Sequence, residues 1–249
     1  MAEPLRPTDP AAVLRLATSA RVGLGRAGQG LPTAPMLEFQ LAHARARDAV
    51  HAALDTDRLA AAIALPTIVA DSAAADRATY LQNPELGRRL GPAASLPRGD
   101  HDLALVLADG LSAKAVQTHA PALVAALVSG LKDWSIAPVV IVRQGRVAIG
   151  DPIGEALGAR MVVVLIGERP GLSAPDSLGA YITFAPRTGR QDSERNCVSN
   201  IRPDGLAPNL AAEKIAWLVR EARRLGFSGV DLKDRQAVEK PKAPRRLTE

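Results

Sequence analysis

A single acidic residue closes the most apolar stretch of the chain. Glu168 follows Met161–Ile166, a run of apolar residues that we predict to be a buried strand, and precedes the dipeptide Arg169-Pro170. A carboxylate in such surroundings costs free energy unless it accepts hydrogen bonds, joins an ion pair or contacts a ligand. A salt bridge to a nearby arginine and a ligand contact both stay open as explanations for Glu168.

The chain has one cysteine, Cys197. A lone thiol excludes an internal disulfide, and the four histidines show no spacing typical of a metal site. Cys197 could act as a nucleophile with His101 or His119 as its base, but neither histidine has a local motif that ties it to the cysteine. We therefore favour a packed or weakly hydrogen-bonded thiol.

Two short motifs resemble functional patterns but lack their structural context. Gly23–Gly28 matches the G-x-G-x-x-G pattern of dinucleotide-binding proteins, yet no predicted strand precedes it, so we predict a turn that needs glycine dihedrals. Gly110-Leu111-Ser112 lacks the second glycine of a nucleophile elbow. We expect Asp109 and Ser112 to cap the next helix by accepting hydrogen bonds from its backbone N–H groups.

The elements that position these residues change type near the middle of the chain. Residues 1–95 are rich in Ala, Arg and Leu at helical spacing, which predicts a smaller, all-helical N-terminal domain. Residues 96–232 alternate β-rich runs with helical patterns, which predicts an α/β domain with a Rossmann-like parallel sheet flanked by helices. The predicted strands are Leu103–Leu107, Pro138–Val142, Met161–Ile166 and Ala180–Phe184; the predicted helices are Met36–Leu54, Asp57–Leu65, Asp76–Tyr80, Ser112–Leu131, Ile153–Leu157 and Asn209–Leu225.

Several of the candidate residues fall at one edge of this predicted sheet. Ligands of open α/β sheets bind just beyond the carboxyl ends of the strands, where Asp109 and Glu168 would stand. Cys197 would lie near the same rim if the chain doubles back after Phe184. The pattern predicts a binding rim without identifying a reaction.

Composition excludes some classes of protein. With 47% hydrophobic residues in 249, the chain can bury a substantial core, and no apolar run is long enough to cross a bilayer. The formal charge of +5 owes +3 to Lys233–Glu249, which holds six basic and three acidic residues and which we predict to be a disordered tail. Aromatic residues make up only 3%, which argues against nucleic-acid binding.

Six short stretches together resemble a known family. In this order along residues 12–230, they are similar to the small (light) subunit of ethanolamine ammonia-lyase, and the order makes the match specific. The stretches are RVGLGRAG (21–28), NPELGRRL (83–90), ADGLS (108–112), GRVAIGD (145–151), IGERPGL (166–172) and RNCVSNIRP (195–203).

The resemblance implies an adenosylcobalamin-dependent lyase that converts ethanolamine to acetaldehyde and ammonia by a radical mechanism. It implies a large barrel subunit as partner, which holds the substrate and the reacting groups, while the small subunit closes over the cobalamin. Matched onto the family motifs, the implied cofactor contacts are Val147, Glu168 and Cys197. It implies no catalytic residue and no metal ligand on this chain.

Two other functions stay open. One is a free-standing nucleotide-binding oxidoreductase built on the C-terminal sheet, and the other is a structural partner of the large subunit with no cofactor contact. Several family members carry a long N-terminal extension associated with bacterial microcompartments. Because this sequence begins close to the resembling region, we expect the bacterial cytoplasm rather than a microcompartment, and no membrane association.

Overall fold

The computed structural model describes residues 10–18, 20–92 and 94–234. The α-helices in these ranges are α1 (Pro10–Ala17), α2 (Thr33–His51), α3 (Thr56–Ala61), α4 (Arg77–Gln82), α5 (Ala113–Gly130), α6 (Gly150–Leu157) and α7 (Pro208–Leu225). The strands are β1 (Thr67–Asp71), β2 (His101–Ala108), β3 (Val139–Arg143), β4 (Ala159–Gly167), β5 (Leu178–Phe184) and β6 (Arg195–Ile201). Within these ranges, no helix combines the length and the apolar character that crossing a bilayer requires.

The six strands form one mixed sheet in the order β1-β3-β2-β4-β5-β6. The first four are parallel neighbours, whereas β5 pairs antiparallel with β4, and β6 pairs antiparallel with β5. The predicted α/β class is confirmed, but the sheet is mixed, whereas a Rossmann-like parallel sheet was predicted. The reason lies in residues 168–177, which join β4 to β5 without a helix, whereas a parallel return needs a longer crossover.

The N-terminal part also differs from its prediction, because it contributes an edge strand. β1 begins with the β-branched residues Thr67, Ile68 and Val69, which favour extended backbone, and it pairs with β3. Residues 1–95 are therefore not all helical. The domain boundary near residue 95 stays a prediction, and most of the predicted tail, from residue 235 on, lies outside the described residues.

The two faces of the sheet are covered unequally. Leu103 and Leu105 of β2 point to a first face, where α5 and α7 pack, whereas Ala104 and Val106 point to a second face, where α6 packs. α7 also covers the first face of β5 and β6. On the second face α6 packs mainly on β4 and β2, so the outer strands β5 and β6 are left open there.

Candidate functional site

An open cleft of about 290 Å³ lies on the second face of the sheet, at β5 and β6. Val147 and Cys197, which come from two separate motifs, both line it. The other lining residues that matter here are Arg146, Tyr181, Asp192 and Arg195. The structure therefore brings two of the three predicted contact residues into one cavity, on the face of the sheet rather than at its rim.

Val147 reaches the cleft through the connection between β3 and α6. It begins a short 3-10 helix, Val147–Ile149, directly before α6. Gly145 allows a close approach in this connection, because a Cβ there would lie 2.9 Å from the Cβ of Ala108. Val147 is half-buried and packs against the core of the second face, so it offers the cleft an apolar surface with little rotamer freedom.

Glu168 stands directly after β4 and is held by hydrogen bonds instead of an ion pair. Its Oε2 accepts hydrogen bonds from Ser177 Oγ and, at 3.3 Å, from the backbone N–H of Asn200. Its Oε1 has no hydrogen-bond partner among the described residues and lies against Gly179, where an added Cβ would come within 2.9 Å of it. The salt-bridge explanation of this carboxylate is therefore not supported in the described part of the chain.

An irregularity in β6 brings Asn200 to this carboxylate. The register between β5 and β6 shifts between Leu178 and Ala180, which places an extra residue on β6. Asn200 has a φ of 56°, a left-handed conformation that asparagine tolerates better than most residues. Such bulges redirect backbone groups, and here the redirected N–H donates to Glu168.

Tyr181 and Cys197 are direct cross-strand neighbours on β5 and β6. Desolvation of the thiol raises its pKa, and the charge of Glu168 adds to the rise, while a hydrogen bond with Tyr181 opposes it. Burial, followed by the influence of Cys197 and Glu168, also raises the pKa of Tyr181. Cys197 is exposed as a residue, yet its thiol is protonated at neutral pH, which is the opposite of an activated nucleophile. A Cβ on Gly179 would meet the Glu168 carboxylate, and Gly179 pairs with Ile166 of the second face, so this carboxylate lies on the same side of the sheet as the cleft.

A buried ion pair forms one side of the cleft. Arg195 Nη1 and Nη2 each donate to one carboxylate oxygen of Asp151 at 2.7 Å, and Nη1 also donates to Thr183 Oγ1 at 2.9 Å. Burial would lower the pKa of Arg195, but its hydrogen bonds and the charge of Asp151 outweigh that effect and raise it. The pair ties the first turn of α6 to β6, so it fixes the distance between the two walls of the cleft.

Neither histidine considered as a base for Cys197 contacts it. His101, at the start of β2, has its Nδ1 3.4 Å from Ser135 Oγ. His119, on α5, has its Nε2 4.0 Å from Asp176 Oδ2. The structure therefore does not assemble a Cys–His pair. Among the described residues, no group of three or more His, Cys, Asp or Glu could hold a metal ion.

The glycine-rich stretch behaves as predicted. Gly23, Gly25 and Gly28 have φ values of 61°, 79° and 61°, and no strand precedes them in the described residues. This is a turn that needs glycine dihedrals, without the strand and helix of a dinucleotide-binding motif.

The helix-cap prediction is half right. Ser112 Oγ accepts a hydrogen bond from the Ala115 N–H at the start of α5. Asp109 does not cap α5, because its carboxylate accepts instead from the N–H groups of Gln144 and Gly145, each at 3.0 Å. The cause is the sheet order, which sets the end of β2 beside the end of β3.

Sequence reasoning missed most of the residues that line the cleft, among them Arg146, Arg195 and Tyr181. Arg146 and Arg195 each lie within two positions of a predicted contact, Val147 or Cys197, so their place in the motifs was a usable signal. Tyr181 lies in the middle of a predicted strand, at a position that alternation assigns to the face opposite Ala180 and Ile182. Only the pairing of β5 with β6 shows that it meets Cys197.

Fold and cleft together define an α/β protein with a mixed sheet and an open cleft lined by apolar, hydroxyl, thiol and charged groups. A family model described as ethanolamine ammonia-lyase light chain (EutC) matches residues 8–233. The chain belongs to this family.

Several similar proteins carry the name ethanolamine ammonia-lyase small subunit. The protein from Ralstonia nicotianae is 52% identical over 96% of this chain and 93% of its own length. Those from Azotobacter vinelandii and Bradyrhizobium diazoefficiens are both 54% identical, over 90% and 99% of this chain and 88% and 98% of their own lengths. The resemblance found in the six motifs is confirmed, and with it the assignment to a lyase enzyme.

Proposed function

We propose that this chain is the small subunit of an adenosylcobalamin-dependent ethanolamine ammonia-lyase and that its cleft covers part of the cobalamin. The assignment to this enzyme rests on the family and on the names of the relatives. The structural observation in support is that Val147 and Cys197, which come from two distant motifs, line one cleft. Glu168, from a third motif, does not line this cleft but lies on the same side of the sheet.

The residues around the cleft fit a ligand of this chemistry. Cobalamin combines a broad apolar ring edge with amide, hydroxyl and phosphate groups, so it needs apolar surface together with both donors and acceptors. Val147 and Tyr181 supply apolar surface, and Oε1 of Glu168 is an acceptor without a partner in the described residues. Arg146 and Arg195 also line the cleft, and guanidinium groups are suitable donors to phosphate and amide oxygens.

Each predicted contact then has a definite role. When bound, the cofactor supplies homolysis of its cobalt–carbon bond, while the protein supplies binding, orientation and exclusion of water. Glu168 accepts hydrogen bonds from amide or hydroxyl groups of the cofactor, and Val147 gives apolar contact. Cys197 packs at the cofactor's edge with its thiol protonated, because its pKa is raised.

The partners follow from the same assignment. A small subunit requires the large subunit, which we assign the ethanolamine-binding and reacting groups, so that this chain carries no catalytic residue. The complex would work in the bacterial cytoplasm; we assign it no membrane or nucleic-acid partner.

The test uses the complex of this chain with the large subunit from the same organism. We expect acetaldehyde release that depends on adenosylcobalamin and expect Glu168→Ala to raise the cobalamin Kd about tenfold, because a charged acceptor is lost. Equilibrium dialysis and the spectrum of bound cobalamin measure the Kd. Glu213→Ala is the matched control, since Glu213 is exposed on α7, across the sheet from the cleft.

Two results would contradict the proposal. Acetaldehyde release without cobalamin would remove the cofactor from the function. A cobalamin Kd that is unchanged in Glu168→Ala, with the enzyme still active, would leave the chain as a structural partner only.

A further inference from the structure

The connection that carries Arg146 and Val147 into the cleft is held from outside the cleft. Residues 144–147, the cleft loop, follow β3 directly and begin with Gln144 at a φ of 57°. A left-handed conformation is unfavourable for a residue with a Cβ, so it persists only where neighbouring groups enforce it. The groups that hold Gln144 in this conformation therefore also fix the cleft loop.

Asp109 is the first of these groups. It follows β2, is only 3% exposed, and one of its carboxylate oxygens accepts from the Gln144 N–H while the other accepts from the Gly145 N–H. Arg77 Nη1 lies 3.6 Å from this carboxylate and donates to Gln144 Oε1 at 3.2 Å. Burial raises the pKa of Asp109, and the two backbone N–H groups and Arg77 counteract that rise. The carboxylate thus pins two consecutive residues of the cleft loop.

Tyr80 is the second group, and it holds the following peptide group of the cleft loop. Its hydroxyl donates to the Gly145 carbonyl oxygen at 3.0 Å, and its ring is fully buried. The Arg146 guanidinium carbon lies 4.3 Å from the ring centroid, within the range of a cation–π contact. Burial raises the pKa of Tyr80 to about 12, so the hydroxyl stays a donor at every pH at which the protein is assayed.

Arg146 is closely packed against Gly87 and Tyr80, which restricts its position. The Arg146 N–H donates to the Gly87 carbonyl oxygen at 2.7 Å. A Cβ on Gly87 would lie 2.8 Å from Arg146 Cγ and 2.8 Å from Tyr80 Cε2, so only glycine lets these side chains stack. Gly87, Asp109 and Gly145 belong to three of the motif stretches, NPELGRRL, ADGLS and GRVAIGD, which meet at this loop, whereas Tyr80 precedes the first of them.

We propose that Tyr80 and Asp109 are positioning residues of the cofactor cleft, because they fix the cleft loop so that Arg146 and Val147 face the cobalamin. This inference rests on the proposed function. Neither residue lines the cleft, so both act through the loop. A preorganised loop loses less conformational entropy when the ligand binds, so fixing this loop strengthens cofactor binding in particular.

The decisive variant is Tyr80→Phe in the complex with the large subunit. It removes one hydrogen bond to Gly145 and keeps the ring under Arg146. We expect the cobalamin Kd to rise about fivefold, which corresponds to one lost hydrogen bond, with the KM for ethanolamine unchanged and kcat restored at saturating cobalamin. Asp109→Asn, which loses one of two backbone acceptors, should raise the Kd further.

Ser228→Ala serves as the matched control. Ser228 Oγ donates to the Glu194 carbonyl and accepts from the Phe184 N–H at 2.8 Å, and it does not line the cleft. Its loss should lower the Tm of the complex as much as Tyr80→Phe does, yet leave the cobalamin Kd unchanged.

The outcomes separate this inference from the proposed function. An unchanged Kd in Tyr80→Phe, with Glu168→Ala still weakening cobalamin binding, overturns the inference alone. A Tm loss far beyond that of Ser228→Ala, with the ethanolamine KM raised equally, also overturns it, because general loosening would then explain the effect. If Glu168→Ala leaves the Kd unchanged as well, the proposed function fails too.

Discussion

Arg195 and Asp151 are both nearly inaccessible to solvent, so their ion pair has consequences that surface pairs lack. We expect Arg195→Met to lower the free energy of unfolding by about 3 kcal/mol, because it leaves a buried carboxylate without its counter-charge. Chemical denaturation of the chain measures this. Arg160→Met is the control, since Arg160 pairs with Asp100 in the solvent and such pairs contribute about 0–1 kcal/mol. Equal losses in both variants would contradict the importance of burial.

His119 should make the stability depend on pH. Burial lowers its pKa, although the Asp176 carboxylate opposes the shift. The folded state therefore binds fewer protons than the unfolded chain, in which histidine titrates near pH 6.5, so the free energy of unfolding falls as the pH drops below about 6.5. The charges of Arg202 and Lys114 also lower the pKa of His119.

Denaturation at pH 7.5 and pH 5.5 tests this. We expect His119→Gln, which keeps a polar group but does not titrate, to lose less stability over this interval than the unaltered chain. Asp76 and Glu194, whose pKa is lowered, titrate below the interval. Burial raises the pKa of Asp109 and Asp151, but both are present in the two proteins, so their contribution cancels in the comparison. An identical loss in both proteins would show that His119 contributes nothing.

Most helices and strands were predictable from local sequence, whereas strand pairing and contacts between distant parts of the chain were not. α2 to α7 and β2 to β5 follow from apolar periodicity and from caps such as Ser112. β6 escaped prediction because it is an edge strand whose buried residues, Arg195, Val198 and Ile201, do not alternate regularly. The antiparallel pairing of β5 and β6, the bulge at Asn200 and the contact of Asp109 with the cleft loop all depend on strand order, which local sequence does not encode.

The site divides in the same way. The cofactor roles proposed for Val147, Glu168 and Cys197 came from a family resemblance, and the meeting of Val147 and Cys197 in one cleft depends on the sheet. Tyr181 could be assigned to a face by alternation, but its contact with Cys197 needs the register of two strands. Contacts between residues distant in sequence therefore mark the limit of reasoning from one chain.

On the uncovered second face of β5, Gly179 makes the position of Glu168 testable. Gly179 leaves space for the Glu168 carboxylate, and a Cβ there would lie 2.9 Å from Oε1 and 3.2 Å from Cγ. We expect Gly179→Ala to displace this side chain and raise the cobalamin Kd of the complex about tenfold, like removal of the carboxylate. Gly171→Ala, in the loop after β4, is the control, because its Cβ would meet only ordinary contacts at 3.8 Å. A Kd that changes equally in both variants would contradict the expected displacement.

The molecule as a whole presents only part of a binding site. Pockets for drug-sized ligands are about 300–1,000 Å³ and enclose most of the ligand, whereas this open cleft is about 290 Å³ and cobalamin is far larger than a drug. Under the proposed function, most of the cofactor surface would therefore be covered by the large subunit. We expect the chain alone, confirmed as folded by its thermal transition, to bind cobalamin at least about 100-fold more weakly than the complex, a difference of about 2.7 kcal/mol. Equilibrium dialysis of both preparations measures the two Kd values. Equal affinities would mean that the small subunit binds the cofactor by itself. That result would contradict this prediction, because the cleft is open at β5 and β6 and too small to enclose cobalamin.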